Sequence, residues 1–485
     1  MEADRPSAVQ SFGEDHFGAC DLGDRRLTQR AVFTANRMMQ HPGGTLPDKL
    51  NDNASLIGMY RMANNSKVTH ENIMAAHFAR TRGAMSEVNG VVLVLHDTTE
   101  ADFSGLDSVA DLGPIGNGGC RGFLVHNSLA YDYDAAEVIG LVNQTLHTRR
   151  KVPKKETPKQ KREHPQRESR LWKKGWLAVG LAPDGKWWVN VCDRGADLYE
   201  FIESVDKGGG FYCIRSKSNR LIELAPGFEE ECLVTIPDKP GNGTGTQTPA
   251  KLHDLARQLQ TLGTRQIQVR ANYLQKPRKA TVRIASAPVI IRAPEHARGE
   301  HSRQSQTAWV VHVLETNPPK GCEPIEWVLL TNVPTEGLEQ TCERIDWYAC
   351  RPVIEEYHKA QKTGCGIEEQ QFTTLKALQV TLGILSVVAV QLLRLRDLSR
   401  REDAKIRPAQ DVIDKSYVDL MCLWRFKKLL PAISVHDFCR ALAKLGGHLN
   451  RTHDGDPGWL VLWRGWTKLQ LMVEGAQAAQ NRRSV

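Results

Sequence analysis

A chain of 485 residues with 41% apolar and 25% charged residues has room for two or three domains and a substantial core, and reads as soluble and globular. Its net charge of +8 (64 Lys+Arg against 56 Asp+Glu) and pI near 8.9 permit an anionic partner without requiring one. Eleven scattered cysteines, odd in number and without a CxxC pair, indicate neither a disulfide framework nor a zinc site, which fits a reducing cytosol.

In chain order, the start "MEADRPSAVQSF" has no apolar signal core, so a cytoplasmic location is expected. Residues 1–80 read as short helices, among them "GDRRLTQRAVFTANRMMQ" after the candidate cap Asp21, and "SLIGMYRMANN". "GVVLVLHDTTE" is a short β-branched apolar run that predicts a buried strand with polar residues at its end. "FLVHNSLAYDYDAAEVIGLVNQTLHTRR" predicts two strands around a polar turn. Residues 149–174 hold twelve Lys/Arg, three Glu and three Pro, and predict an exposed, poorly ordered loop. "KWWVNVCDRGAD" predicts a strand that ends at an aspartate. Several strands follow, including "FYCIRSK", "KATVRIASAPVIIRA", "TAWVVHVLE" and "IEWVLLTN", with the Gly/Pro/Thr-rich loop "PDKPGNGTGTQTP" after the first. Beyond residue 334 the chain is mostly helical. Its apolar run "LGILSVVAV" is too short to span a bilayer and predicts a buried core helix. The fold class is therefore α/β with a β-rich insertion, flanked by helical segments.

Three carboxylates stand out. Asp97 and Asp193 end predicted strands, and Glu355 lies in "YACRPVIEEYHKAQKTG" (348–364). Oxygen-only ligands from separate segments suit Mg²⁺ or Mn²⁺, and such ions can activate a nucleophile on a phosphodiester. Asp197 competes with Asp193 and Glu356 with Glu355, and an aspartate after a strand is also a common turn or helix cap. On a continuous helix Tyr348, Arg351, Glu355 and Lys362 would share an arc of roughly 60°, with Val353, Tyr357 and Ala360 opposite.

"WYACRPVIEEYHKAQKTG" resembles the Tyr-x2-Arg-x3-Glu-x6-Lys signature of bacterial insertion-sequence transposases of the IS-four family, closest to the Tn-five type. "LHDTTE" is similar to the family's first-aspartate segment and "VCDRGADLYEF" to its second. "YCIRSK", "NPPKG", "LAKLGGHLNR" and "GWLVLWRGW" extend the similarity over nearly the whole chain. Pro352 departs from the family, which usually has an aromatic there; it suits the first turn of a helix, so the helix is expected to begin near Arg351.

The resemblance implies a ribonuclease H-like core in which Asp97, Asp193 and Glu355 form a DDE triad holding two Mg²⁺ ions, with Mn²⁺ able to substitute. It implies a helical DNA-end-binding domain over 1–75, a catalytic domain over 76–375 with its β-rich insertion at about 205–333, and a helical dimerisation domain over 376–485. It also implies cut-and-paste transposition of double-stranded DNA by a homodimer, through nicking, hairpin formation and strand transfer, with no membrane partner. Arg351, Lys362 and Tyr348 would hold phosphates, and Trp327 would stack on a flipped base. Arg215 and Lys217 would contact DNA. Arg25, Arg26, Arg30, Tyr60 and Arg61 match segments that bind terminal repeats, and His126 matches a histidine close to the active site. A domesticated nuclease or recombinase, or a catalytically silent DNA-binding regulator, are the alternatives.

Overall fold

The computed structural model describes residues 8–150, 152–153, 155–225, 251–269, 277–295, 301–451 and 454–483. The loop "PDKPGNGTGTQTP" lies outside them. The described strands are β1 (Val91–Asp102), β2 (Gly113–Ile115), β3 (Cys120–Asp132), β4 (Glu137–His147), β5 (Trp187–Cys192), β6 (Phe211–Arg215), β7 (Ile222–Leu224), β8 (Gly263–Val269), β9 (Arg278–Ile291), β10 (Gln306–Glu315) and β11 (Glu326–Thr331). Two compact units form: Met1–Gly90 with Thr98–Lys151 and Ile354–Val485, and Val91–Asp97 with Val152–Val353.

In the first unit, the helices His70–Glu87 and Leu375–Arg400 pack on β4 of the β3–β4 hairpin. The helix Arg25–Gln40 is capped by Asp24, whose carboxylate accepts from the Arg26 N–H, rather than by Asp21, which closes a turn with Gly23. Gly122 of β3 lets the Ala101 carbonyl approach so closely that a methyl group there would collide with it. The helix Leu375–Arg400 starts at the Thr374 cap and is buried almost all round, the core helix expected from its apolar run. At 26 residues it is long and apolar enough to cross a membrane, but most of its apolar length is covered within the unit.

Three further helices, Lys415–Phe426, Val435–Leu445 and Trp459–Arg483, complete this unit around Phe438, Leu442, Leu462 and Leu469. The last two helices meet at Gly446 and Gly465, where a methyl group would run into the carbonyls of Val461 and Leu442 respectively. Gly465→Ala is therefore expected to lower stability by about 1–3 kcal/mol, read as earlier unfolding of the C-terminal helices in urea.

The second unit is a mixed sheet. β1, β5 and β6 run parallel, while β11, β10 and β9 continue the sheet antiparallel from β6; β7 and β8 both pair with β9. The insertion thus extends the same sheet. The basic run 149–174, expected as a poorly ordered loop, contains the helix Pro158–Glu163, with a Thr157–Gln160 capping box, and the start of Arg170–Val179. The second of these helices buries Leu171, Trp172, Trp176 and Val179, and its tryptophans join the core beside Tyr199 and Ile202. Its Lys and Arg occupy the opposite face, which is why charge count alone hid an amphipathic helix.

Candidate functional site

The parallel β1–β5 ladder sets the geometry. His96 pairs in register with Cys192, and the residue that follows each, Asp97 and Asp193, is an aspartate. Below them His96 Nε2 hydrogen-bonds Asn190 Oδ1 at 2.8 Å, and burial pushes the His96 pKa down to about 4, so the ring stays neutral. β1 does not end at Asp97 as its apolar run suggested; Asp97 marks the point where burial gives way to partial exposure. Asp193 follows β5 directly. Its Oδ1 accepts from the Gly195 N–H at 2.7 Å and caps a single 3-10 turn, while Oδ2 points elsewhere.

Arg351 meets both aspartates. Its Nη2 lies 3.2 Å from Asp97 Oδ2 and 3.7 Å from Asp193 Oδ2. The guanidinium is 15% exposed, Asp97 16% and Asp193 34%, so the charges are screened less than on an open surface. Arg351 stands at a break between the helices Gly337–Ala349 and Pro352–Lys359, with Pro352 in the first turn of the second. The continuous four-residue face drawn from 348–364 is thereby corrected: Tyr348 belongs to the earlier helix. Tyr348 is 7% exposed and packs edge-on against the half-exposed Trp327, with ring centroids 5.3 Å apart. Burial raises the Tyr348 pKa, opposed by Arg215 and Arg351. Arg215 also donates to the Glu326 carbonyl, and Lys217 is exposed.

The rival carboxylates separate by their partners. Asp197 has no side-chain exposure, is ion-paired with Arg220, and accepts from the Lys217 and Ser218 N–H groups at 2.7 Å each. It is a structural clamp on the turn after β6. Glu356 accepts from Trp459 Nε1 and Lys359 Nζ at 3.0 Å each. Burial acts to raise its pKa, but Lys359 and Trp459 outweigh this and hold it below the usual range. Glu355, by contrast, is exposed on the first turn of its helix.

Lys362 lies in a π-turn, Ala360–Gly364, that follows the Pro352–Lys359 helix. The completely buried Gln361 donates to Ser386 Oγ and Tyr357 Oη and accepts from Asn127 Nδ2, contacts that hold the widened turn. Lys362 pairs with Glu368 at 3.0 Å, and Glu368 in turn accepts from the Asp102 N–H at 3.0 Å. Sequence reasoning missed Glu368, Gln361 and the bridging contact of Arg351, since no spacing signal joins residues so far apart along the chain. His126 is completely buried, with Nδ1 2.8 Å from Thr98 Oγ1, so it presents no surface to DNA. Among the described residues, no three His, Cys, Asp or Glu side chains stand close enough together to hold a metal ion.

At the N-terminus, Arg25, Arg26 and Arg61 are exposed, with Arg26 paired to Asp24 at 2.9 Å. Arg30 lies over the Phe33 ring at 5.3 Å, and Tyr60 packs edge-on against Phe372. These exposed cations sit on helices whose opposite faces are buried, the arrangement of a surface that meets a polyanion. Residues 9–68, which contain all five of these side chains, match a family model described as transposase DNA-binding. The match supports a DNA-binding transposase, with DNA as its partner.

Proposed function

We propose that the chain is a cut-and-paste DNA transposase of the DDE type, with a ribonuclease H-like core in which Asp97, Asp193 and Glu355 form the metal-binding triad. The observation that carries this reading is that Asp97 and Asp193, at matching positions of neighbouring parallel strands, share one cationic side chain. The transposase DNA-binding match over 9–68 supplies the substrate class. The resemblance of "VLHDTTE", "VCDRGAD" and the Tyr-Arg-Glu-Lys segment to the IS-four family supplies the reaction type.

Two carboxylates gathered around one cationic side chain are the donor type that a hard divalent cation takes. Asp97 and Asp193 would hold it, with Glu355, one turn beyond Arg351, as the third ligand. When bound, Mg²⁺ or Mn²⁺ supplies an activated nucleophile and stabilises the leaving oxygen of the phosphodiester. Arg351 can grip a phosphate bidentately and Lys362 as a point charge. Trp327, half-exposed over Tyr348, has a face on which an extruded base can stack.

In the reaction, water would attack the phosphorus at the transposon end and the 3′-oxygen would leave. That 3′-hydroxyl would then attack the opposite strand and close a hairpin; opening of the hairpin and strand transfer to target DNA complete the cycle. Pairing two ends requires two active sites, which fits a homodimer working on cytoplasmic DNA.

The test is cleavage of a plasmid carrying the gene's own flanking DNA, in Mg²⁺ and in EDTA. Glu355→Gln should bind the ends as the natural protein does and lose metal-dependent release of hairpin-ended fragments. End binding with no cleavage by the natural protein would instead establish a silent regulator. Cleavage that survives in Glu355→Gln would remove Glu355 from the triad.

A further inference from the structure

We propose that Arg351 is an internal counter-ion of Asp97 and Asp193 that couples metal loading to DNA binding. The inference rests on the metal-dependent reading above and deepens it. Two carboxylates that directly follow a register pair of adjacent parallel strands repel each other, more strongly because both are partly buried. Arg351 relieves that repulsion by placing one guanidinium nitrogen within 3.2 Å of one and 3.7 Å of the other.

A divalent cation held by both aspartates would draw on the same two carboxylates. Bound there, it would set two positive charges against each other at contact distance, so the cation and the guanidinium compete for one position. Asp193 Oδ1 is not part of that competition, since it is held by the Gly195 N–H. Arg351 can leave without dismantling a helix. It lies at the junction of two helices, where its own N–H bonds the Tyr348 carbonyl and Pro352 restarts the helix. A phosphodiester is the natural alternative partner, because a guanidinium binds it with two parallel hydrogen bonds. Lys362 is likewise paired with a carboxylate, Glu368, so both signature cations are engaged internally before an anion arrives.

Linkage then fixes the consequence: DNA that draws Arg351 away strengthens metal binding, and metal strengthens DNA binding by the same factor. The full-length protein would be titrated with Mn²⁺, reading free Mn²⁺ by electron paramagnetic resonance without DNA. Arg351→Gln should bind Mn²⁺ roughly 5- to 150-fold more tightly than the natural chain, the usual range of such couplings. Arg351→Lys, which keeps the charge but loses the fork, should fall between them. In a second arm, a labelled duplex ending at the transposon terminus is followed by anisotropy. Mn²⁺ should tighten its binding to the natural protein by a similar factor, and should do so less for Arg351→Gln.

Equal Mn²⁺ affinity of the natural protein, Arg351→Gln and Arg351→Lys would overturn the inference. Should Arg351→Gln not fold, Arg351→Lys carries the comparison alone: severalfold tighter binding sustains the proposal and equal binding overturns it. Asp97→Asn separates this from the parent reading. If it leaves Mn²⁺ affinity unchanged, the metal site itself is wrong; if it abolishes binding while the Arg351 variants behave as the natural protein, only the counter-ion role fails.

Discussion

Asp197→Ala is expected to destabilise the second unit by roughly 3–5 kcal/mol, whereas Asp193→Asn should leave stability within about 1 kcal/mol and abolish cleavage. The two residues lie four apart, and by spacing alone they compete. Asp197 is enclosed, and its loss strands the Arg220 guanidinium and the N–H groups of Lys217 and Ser218. Removing one partner of a buried ion pair costs more than the pair contributes, because the other charge is left unsolvated. Asp193→Asn keeps the carbonyl oxygen that accepts from Gly195 and removes one of two repelling charges, so the turn survives. Cleavage should fall on the order of 10³-fold or more, as when one member of a cooperating catalytic set is removed. Thermal melts beside the plasmid assay decide it. An Asp197→Ala protein that melts normally but no longer cleaves would reverse the assignment.

Acid should loosen the first unit well above the pH at which carboxylates titrate. His16 and His77 are buried with their Nδ1 atoms 3.0 Å apart, and His77 Nε2 accepts from the Leu141 N–H at 3.3 Å. With Nε2 accepting from Leu141, a neutral His77 carries its proton on Nδ1, facing His16. The pair borders a cleft of about 470 Å³ shared with Arg80, Asp132, Glu137 and Arg394. Burial, then the nearby Arg80 and Arg394, pushes the His16 pKa down to about 3; burial, His16 and the same arginines push His77 well below the ordinary value.

Since both folded-state values lie below 6.5, the unfolded chain binds more protons once the pH falls under 6.5. The stability from keeping this pair neutral is complete above pH 6.5 and drains away as pH falls towards the folded values, at up to about 1.4 kcal/mol per unit for each histidine. Between pH 6.5 and 5 the loss should be roughly 2–4 kcal/mol, seen as a falling urea midpoint. His77→Gln should be less stable at neutral pH yet show a shallower dependence. A midpoint that stays level from pH 7.5 to 5 would sink this account. Because His16 lies within the matched DNA-binding segment, end binding should weaken over the same range.

Much of this molecule was legible in its residues because burial leaves local periodicity. The apolar runs at 91–96 and 187–192 became parallel strands, "LGILSVVAV" became part of a buried helix, and the two aspartates were found from the points where apolar runs stop. The helix over Arg170–Val179 was missed because twelve basic residues in the run 149–174 masked its two core tryptophans. The break at Arg351, and with it the separation of Tyr348 from the following helix, was foreshadowed by Pro352.

What the sequence by itself determined was which residue types gather at strand ends and which faces are apolar, since both follow from neighbours along the chain. Only the tertiary structure enclosed Asp197 with Arg220 while leaving Asp193 part-exposed, placed Glu356 under Trp459 while leaving Glu355 exposed, and joined Arg351 to Asp97 across 254 positions. Those choices depend on sheet register and on which donor a fold brings within about 3 Å, and a hydrogen bond's reach bears no relation to separation in sequence.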